Sequence, residues 1–322
     1  MPNLQPARFV VLAAFVALSV SCGEQNESAN ASSINKPSVV VSTSILGDVV
    51  TNVVGDQMDV FTIMPIGADP HLFQPSAQQA GAIEQSDVVI LNGAGFEEGI
   101  LEVVDAAEES GVPVFEAIGA VETLDGDAQV HEGEAQPAED GGHESTVDPH
   151  FFTDPARMAE AVEAMVEFLI QEVESLDAAA LRANAQRYIE ALNELDSDVV
   201  EVLSPVVPER RVLITNHEVF AYFADRYDFE VVGTIIPSGT TGDGTSAKDL
   251  ADLVAVIKRE QVTAIFADAS ASTDLVDTLA AEAGAIEVVE LFSESLGDAD
   301  SEGATYIDMI RTNAARIAAS LT

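Results

Sequence analysis

From residue 38 onward, short β-branched runs alternate with stretches whose apolar positions recur at helical spacing. Val39-Val40-Val41-Ser42-Thr43, Asp59-Val60-Phe61-Thr62-Ile63-Met64 and Asp87-Val88-Val89-Ile90-Leu91 read as strands, and Val112-Pro113-Val114-Phe115 opens a shorter one. Between them, 45–54, 76–84 and 97–110 read as helices. A second series has strands at Arg211-Val212-Leu213-Ile214-Thr215, Glu230-Val231-Val232-Gly233, Thr263-Ala264-Ile265-Phe266 and Ile286-Glu287-Val288-Val289, with helices near 219–226, 247–259, 273–283 and 304–320. Such alternation predicts an α/β fold with mainly parallel sheets flanked by helices.

Two segments break the rhythm. Residues 122–148 are rich in Asp, Glu, Gly and Ala and almost free of large apolar side chains, which predicts a mobile acidic surface loop. Residues 155–203 read as helix with one interruption near Leu176-Asp177; beyond it Leu181, Tyr188, Leu192 and Leu195 share a side, and Pro205 and Pro208 end the helix. The simplest architecture has an N-terminal lobe at 37–176, one long linker helix at 177–204, and a C-terminal lobe at 205–322. No internal repeat of solenoid period is evident.

The start of the chain is of another kind. Arg8 is followed by an apolar run from Phe9 to Leu18, too short for a spanning helix, then by Ser19-Val20-Ser21-Cys22. Residues 1–21 read as an export signal. The ending resembles a bacterial lipobox, with Ser19 where an apolar residue is usual, so Cys22 is either a lipidated mature N-terminus or an accidental cysteine. Polar residues to 36 would then form a flexible tether. If Cys22 carries the lipid, Cys22→Ala releases the mature protein from membranes into the soluble fraction; unchanged fractionation would count against an anchor there.

Composition narrows the chemistry. The 322 residues are 47% hydrophobic, enough for real cores. Lys plus Arg number 13 against 56 Asp plus Glu, a net charge of −43, which repels phosphate backbones and excludes nucleic acid as a partner. Cys22 is the sole cysteine, so a transition-metal site must draw on His and carboxylates.

There are 5 histidines. Two stand in the same tripeptide, Asp69-Pro70-His71 and Asp148-Pro149-His150, where proline stiffens the backbone beside the imidazole. His217 directly follows a predicted strand, and His71 follows one after a short loop. Ligands in open α/β sheets bind beyond the carboxyl ends of strands. Three rigidly placed imidazoles suit Zn2+, and Glu294, again past a strand, is a candidate fourth ligand. Free histidine titrates near pH ~6.5, so metal affinity is expected to fall as pH drops through about 6. His131 and His143 lie in the acidic loop, which is either an auxiliary metal-capture segment or a solvated charge run.

Together, several segments resemble the zinc- and manganese-binding solute-binding proteins of ABC importers: Gly67-Ala68-Asp69-Pro70-His71-Leu72-Phe73-Gln74-Pro75, Asp148-Pro149-His150-Phe151-Phe152-Thr153-Asp154-Pro155, Asn216-His217-Glu218-Val219-Phe220, Phe292-Ser293-Glu294-Ser295-Leu296-Gly297 and Ala304-Thr305-Tyr306-Ile307-Asp308. The resemblance implies an exported lipoprotein outside the cytoplasmic membrane, a monomer, that captures Zn2+ between two lobes and delivers it to a membrane permease. It implies His71 and His150 from the first lobe and His217 and Glu294 from the second. Zinc-type members have His at the third position and manganese-type members commonly Glu. The fourth is usually Asp, so here Glu294 or water fills it. The alternatives are a manganese importer subunit or adhesin of the same fold, and a secreted zinc hydrolase with Glu218 as base. The hydrolase lacks a His-Glu-x-x-His motif, and ligands on two lobes suit capture and release better than turnover.

Overall fold

The computed structural model describes residues 36–126, 147–238, 240–242, 244–270, 274–284 and 286–322. The export signal, Cys22, the tether up to residue 35, His131 and His143 lie outside the described residues.

The first lobe begins with β1 (Ser38–Val41), α1 (Ser44–Val54), β2 (Asp59–Thr62), α2 (Ala77–Gln85), β3 (Val88–Leu91), α3 (Leu101–Glu109) and β4 (Val114–Glu116). Its four strands are all parallel, in the order β2-β1-β3-β4. Val39, Val41, Val88 and Ile90 face a core under α1, whereas Val40 and Val89 pack with Ile83 and Val104 under α2 and α3. Buried on both faces, these strands are near-continuous apolar runs rather than alternating ones.

The helical middle is broken as the sequence predicts. Asp154 caps α4 (Pro155–Glu172), accepting from the Ala156 amide, with Pro155 in the first turn where a missing N–H costs nothing. The chain then turns at 173–177, and Asp177 caps α5 (Ala178–Leu203), accepting from Ala179 and Ala180. This 26-residue helix spans roughly 40 Å at about 1.5 Å per residue. It packs along α4 and α1.

The second lobe comprises β5 (Val212–Thr215), α6 (Ala221–Tyr227), β6 (Glu230–Thr234), α7 (Ala247–Glu260), β7 (Ala264–Asp268), α8 (Asp274–Ala283), β8 (Glu287–Leu291) and α9 (Tyr306–Leu321). Its parallel sheet repeats the first order, β6-β5-β7-β8. Helices α5 and α9 lie against each other.

Each sheet has an outer core of its own. The inner faces do not. One continuous apolar cluster runs from Val39 and Val49 through Met165, Leu181, Leu192 and Leu195 to Leu213, Tyr222, Phe266 and Ile310. Buried hydrogen bonds also cross between the lobes. The Tyr222 hydroxyl donates to the Asp148 carbonyl (2.7 Å) and the Tyr306 hydroxyl to that of Phe152 (2.7 Å). The acidic loop is closed at its base, where Asp125 pairs antiparallel with Val147 and the Asp148 amide donates to Leu124 (2.9 Å). Among the described residues, no helix is long and apolar enough to cross a membrane.

Candidate metal centre

His71, His150, His217 and Glu294 come from four different connections and meet at one point. Each offers a donor atom, and these atoms all lie within 4.8 Å of one another. Oε1 of Glu294 lies 2.8 Å from Nε2 of His71, 3.1 Å from Nε2 of His217 and 3.4 Å from Nε2 of His150. All four side chains are buried, His150 and His217 completely.

Local chemistry explains how each candidate ligand is held. In both Asp-Pro-His tripeptides the aspartate carboxylate turns back onto the backbone two residues on, the habit of Asx turns. Asp69 Oδ1 accepts from the His71 amide at 3.0 Å and the Leu72 amide at 3.3 Å. Asp148 Oδ1 accepts from the His150 amide at 2.9 Å and also lies 2.8 Å from the ring Nδ1. The second contact fixes the ring's orientation and leaves Nε2 facing the centre, as carboxylates do behind metal-binding imidazoles. A further chain supports the same loop. Buried Glu97 accepts from the amides of Asn92 (2.7 Å) and Gly93 (3.2 Å), and the Asn92 side chain donates to the Pro149 carbonyl (2.8 Å). Phe96 stands edge-on to His71 and His150, with ring centroids 5.1 and 5.4 Å away, so the centre has an apolar wall on the first lobe.

The second-lobe ligands are fastened differently. The Thr215 hydroxyl, at the end of β5, donates to the His217 carbonyl at 2.8 Å. Among the described residues, Nδ1 of His217 has no hydrogen-bond partner. Glu294 sits in the connection after β8. There Asn313 of α9 pins Phe292 through both backbone groups, at 2.9 and 2.6 Å, and the Ser293 hydroxyl donates to Asp268.

The electrostatics follow from burial and proximity. Burial pulls the His150 pKa down, but the charge and hydrogen bond of Asp148, with Glu294 beyond, outweigh it and push the pKa up to about 9. For Glu294, burial alone would raise the pKa; the surrounding imidazoles win and hold the carboxyl well below its usual range. The result is an ionised carboxylate among nitrogen donors in a water-poor pocket. That set fits a divalent transition ion better than Mg2+ or Ca2+, which take mostly oxygen.

All four residues expected from the sequence therefore converge. Sequence reasoning missed the ring-orienting role of Asp148, for which the repeated tripeptide itself was the available signal. It also missed Phe96, which no spacing or motif marks.

A family model described as zinc-uptake complex component A, periplasmic, matches residues 39–320. The manganese-binding lipoprotein MntA of Halalkalibacterium halodurans is 28% identical over 276 residues, covering 85% of this chain and 85% of that protein. The zinc-binding protein TroA of Treponema pallidum is 28% identical over 299 residues, covering 91% and 92%. The solved structure of periplasmic zinc-binding TroA from the same organism superposes with a TM-score of 0.77 at 27% identity, over 89% of this chain and 99% of that one.

Proposed function

The chain belongs to the zinc-uptake complex component A family of metal ABC-transporter substrate-binding proteins, and from that premise we propose that its cargo is Zn2+, held by His71, His150, His217 and Glu294 and passed to a membrane permease. The family is one of transport proteins, not of enzymes. The observation that carries the zinc reading is the donor set. Three imidazole nitrogens and one carboxylate oxygen, each from a separate loop, match the four-coordinate preference of zinc. Manganese is the second reading, supported by the manganese-binding relatives. It suits this centre less well, because Mn2+ favours oxygen donors. Glu294 is the fourth ligand in this proposal, because its carboxylate already lies among the three Nε2 atoms. The protein works outside the cytoplasm, and Cys22 is the lipid attachment point we propose for it.

The test is metal analysis of protein purified without added metal, then competition between zinc and manganese. Wild type is expected to retain and prefer zinc. His217→Glu exchanges nitrogen for oxygen at the second-lobe ligand and should shift the zinc-to-manganese preference toward manganese by at least about tenfold. A wild type that selects manganese, or a swap without effect on the ratio, would refute the zinc assignment.

A further inference from the structure

The loop that carries His71, residues 65–75, belongs to the first lobe by connectivity but is fastened to the second close to the ligand. The Gly67 amide donates to the hydroxyl of Ser295 at 2.7 Å. Ser295 adjoins Glu294 and is itself buried. Its hydroxyl lies 3.2 Å from that of Ser44, and Ser44 accepts from the Leu296 amide at 3.0 Å, so the segment after Glu294 is also pinned to the start of α1. The second fastening passes through Asp69. Its Oδ1 holds the His71 amide, and its Oδ2 accepts from the Thr241 hydroxyl at 2.5 Å. Thr241 lies in the connection after β6, on the lobe that carries His217.

These bonds differ from the rest of the inter-lobe contact. The Tyr222 and Tyr306 bonds join elements that the shared core already holds together. The His71 loop has no helix or strand of its own, and it exposes Ile66 and Leu72. Gly67, at φ +77°, gives it a turn that other residues rarely adopt. On its own lobe it rests on Ala68 and Phe73, which pack against the outer core, on Phe96 beside the His71 ring, and on the Phe73 carbonyl, which lies against Gly99 so closely that a Cβ there would come within 1.9 Å. The side nearest His71 rests on the hydroxyls of Ser295 and Thr241.

We propose that Ser295 and Thr241 are positioning residues for the captured ion: their hydroxyls clasp the His71 loop to the lobe that carries His217 and Glu294, and so set how long the metal stays. The proposal rests on the metal-binding reading above. An ion leaves such a centre when one ligand swings away, and His71 stands on a loop without helix or strand whose ties to the opposite lobe include these two hydroxyls. Losing either hydroxyl removes a direct tie between the His71 loop and the second lobe: the exposed Gly67 amide is left to water, and the half-buried Asp69 loses its Oδ2 partner, so the loop is freed on that side. The fold itself does not depend on these bonds, because no strand pairing or helix cap uses them.

The experiment is stopped-flow release of Zn2+ from the loaded full chain into excess chelator, for wild type, Ser295→Ala, Thr241→Val and the double variant. Each single change is expected to speed release by about five- to tenfold, and the double change more than either. Thr241→Ser keeps the hydroxyl and should keep the wild-type rate. Melting of the metal-free chain should move little, while amide exchange at Gly67 should rise in Ser295→Ala. Normal zinc uptake with unchanged release rates in both single variants overturns the clasp alone. So does a lowered melting point with unchanged release, which would make the hydroxyls merely structural. A wild type that takes up no zinc overturns the metal reading, and the clasp falls with it.

Discussion

Alanine at His71, His150 or His217 weakens zinc binding by at least about a hundredfold, about 2.8 kcal/mol. The floor comes from what is lost. Removing a group that merely orients a ligand costs about 10- to 100-fold in affinity, and a ligand should cost no less. All three imidazoles are buried, and among the described residues the group gathered at this centre is these three and Glu294. His150→Ala carries an added cost, because it strands the Asp148 carboxylate that the ring engages at 2.8 Å. Glu294→Ala is expected to cost less than any of these, since water can take a vacated fourth position on zinc. His131→Ala and His143→Ala, in the acidic segment, should leave the affinity within about tenfold. The measurement is a chelator-competition titration of all six variants beside wild type. Zinc binding by His217→Ala at wild-type affinity would mean that the two lobes do not share one ion.

The apparent zinc affinity falls about tenfold per pH unit between pH 8 and 6, about a hundredfold in all. The proton responsible is on His150. Its pKa of about 9 means that the metal-free centre keeps this proton at neutral pH. Zinc needs the bare Nε2, so binding must expel the proton, and affinity rises with pH until the curve flattens above about 9. Each unit below that value costs about 1.36 kcal/mol. Glu294 adds no slope in this range, because its carboxyl is held well below the usual carboxylate value and stays ionised. Calorimetry in buffers of different ionisation enthalpy should detect about one proton released per ion bound near neutral pH. An affinity constant between pH 6 and 8 would contradict the assignment. Free histidine alone placed this fall near pH 6; the structure moves it upward because Asp148 stands behind the ring.

The difference marks where the sequence stopped being informative. Strand and helix positions were legible because both lobes are built from local alternation: buried Val-rich strands and capped helices such as those at Asp154 and Asp177. Departures were confined to ends. The helix read at 97–110 opens with a tight turn at Glu98–Ile100, and the one read at 219–226 begins at Ala221, since His217 and its neighbours spend their backbone groups on β5 and on the strand-end connections. The four residues of the candidate centre were legible because rigid tripeptides and strand ends carry them. Their supports were not. Ser295, Thr241 and Phe96 are ordinary residues whose roles depend on contacts across the chain, and nothing local distinguishes one serine from another. Pairing Asp148 with a ring nitrogen is local, yet the same tripeptide at Asp69 spends its carboxylate on the backbone and on the Thr241 hydroxyl, so the motif alone could not tell the two apart.

The apolar cluster that runs unbroken beneath both sheets has a consequence for how such a protein can change over generations. The two lobes share one apolar cluster, with α5 laid along it, so the two halves of the centre stand on a common core. A lineage that needs a different ion cannot easily get it by reshaping the lobes, because every core change is felt on both sides at once. It can do so by exchanging one polar side chain that faces the centre while its apolar neighbours stay in the cluster. His217, beside Val219 and Phe220, and Glu294, between Leu291 and Leu296, are two such side chains. A change at either one is the kind this architecture leaves free.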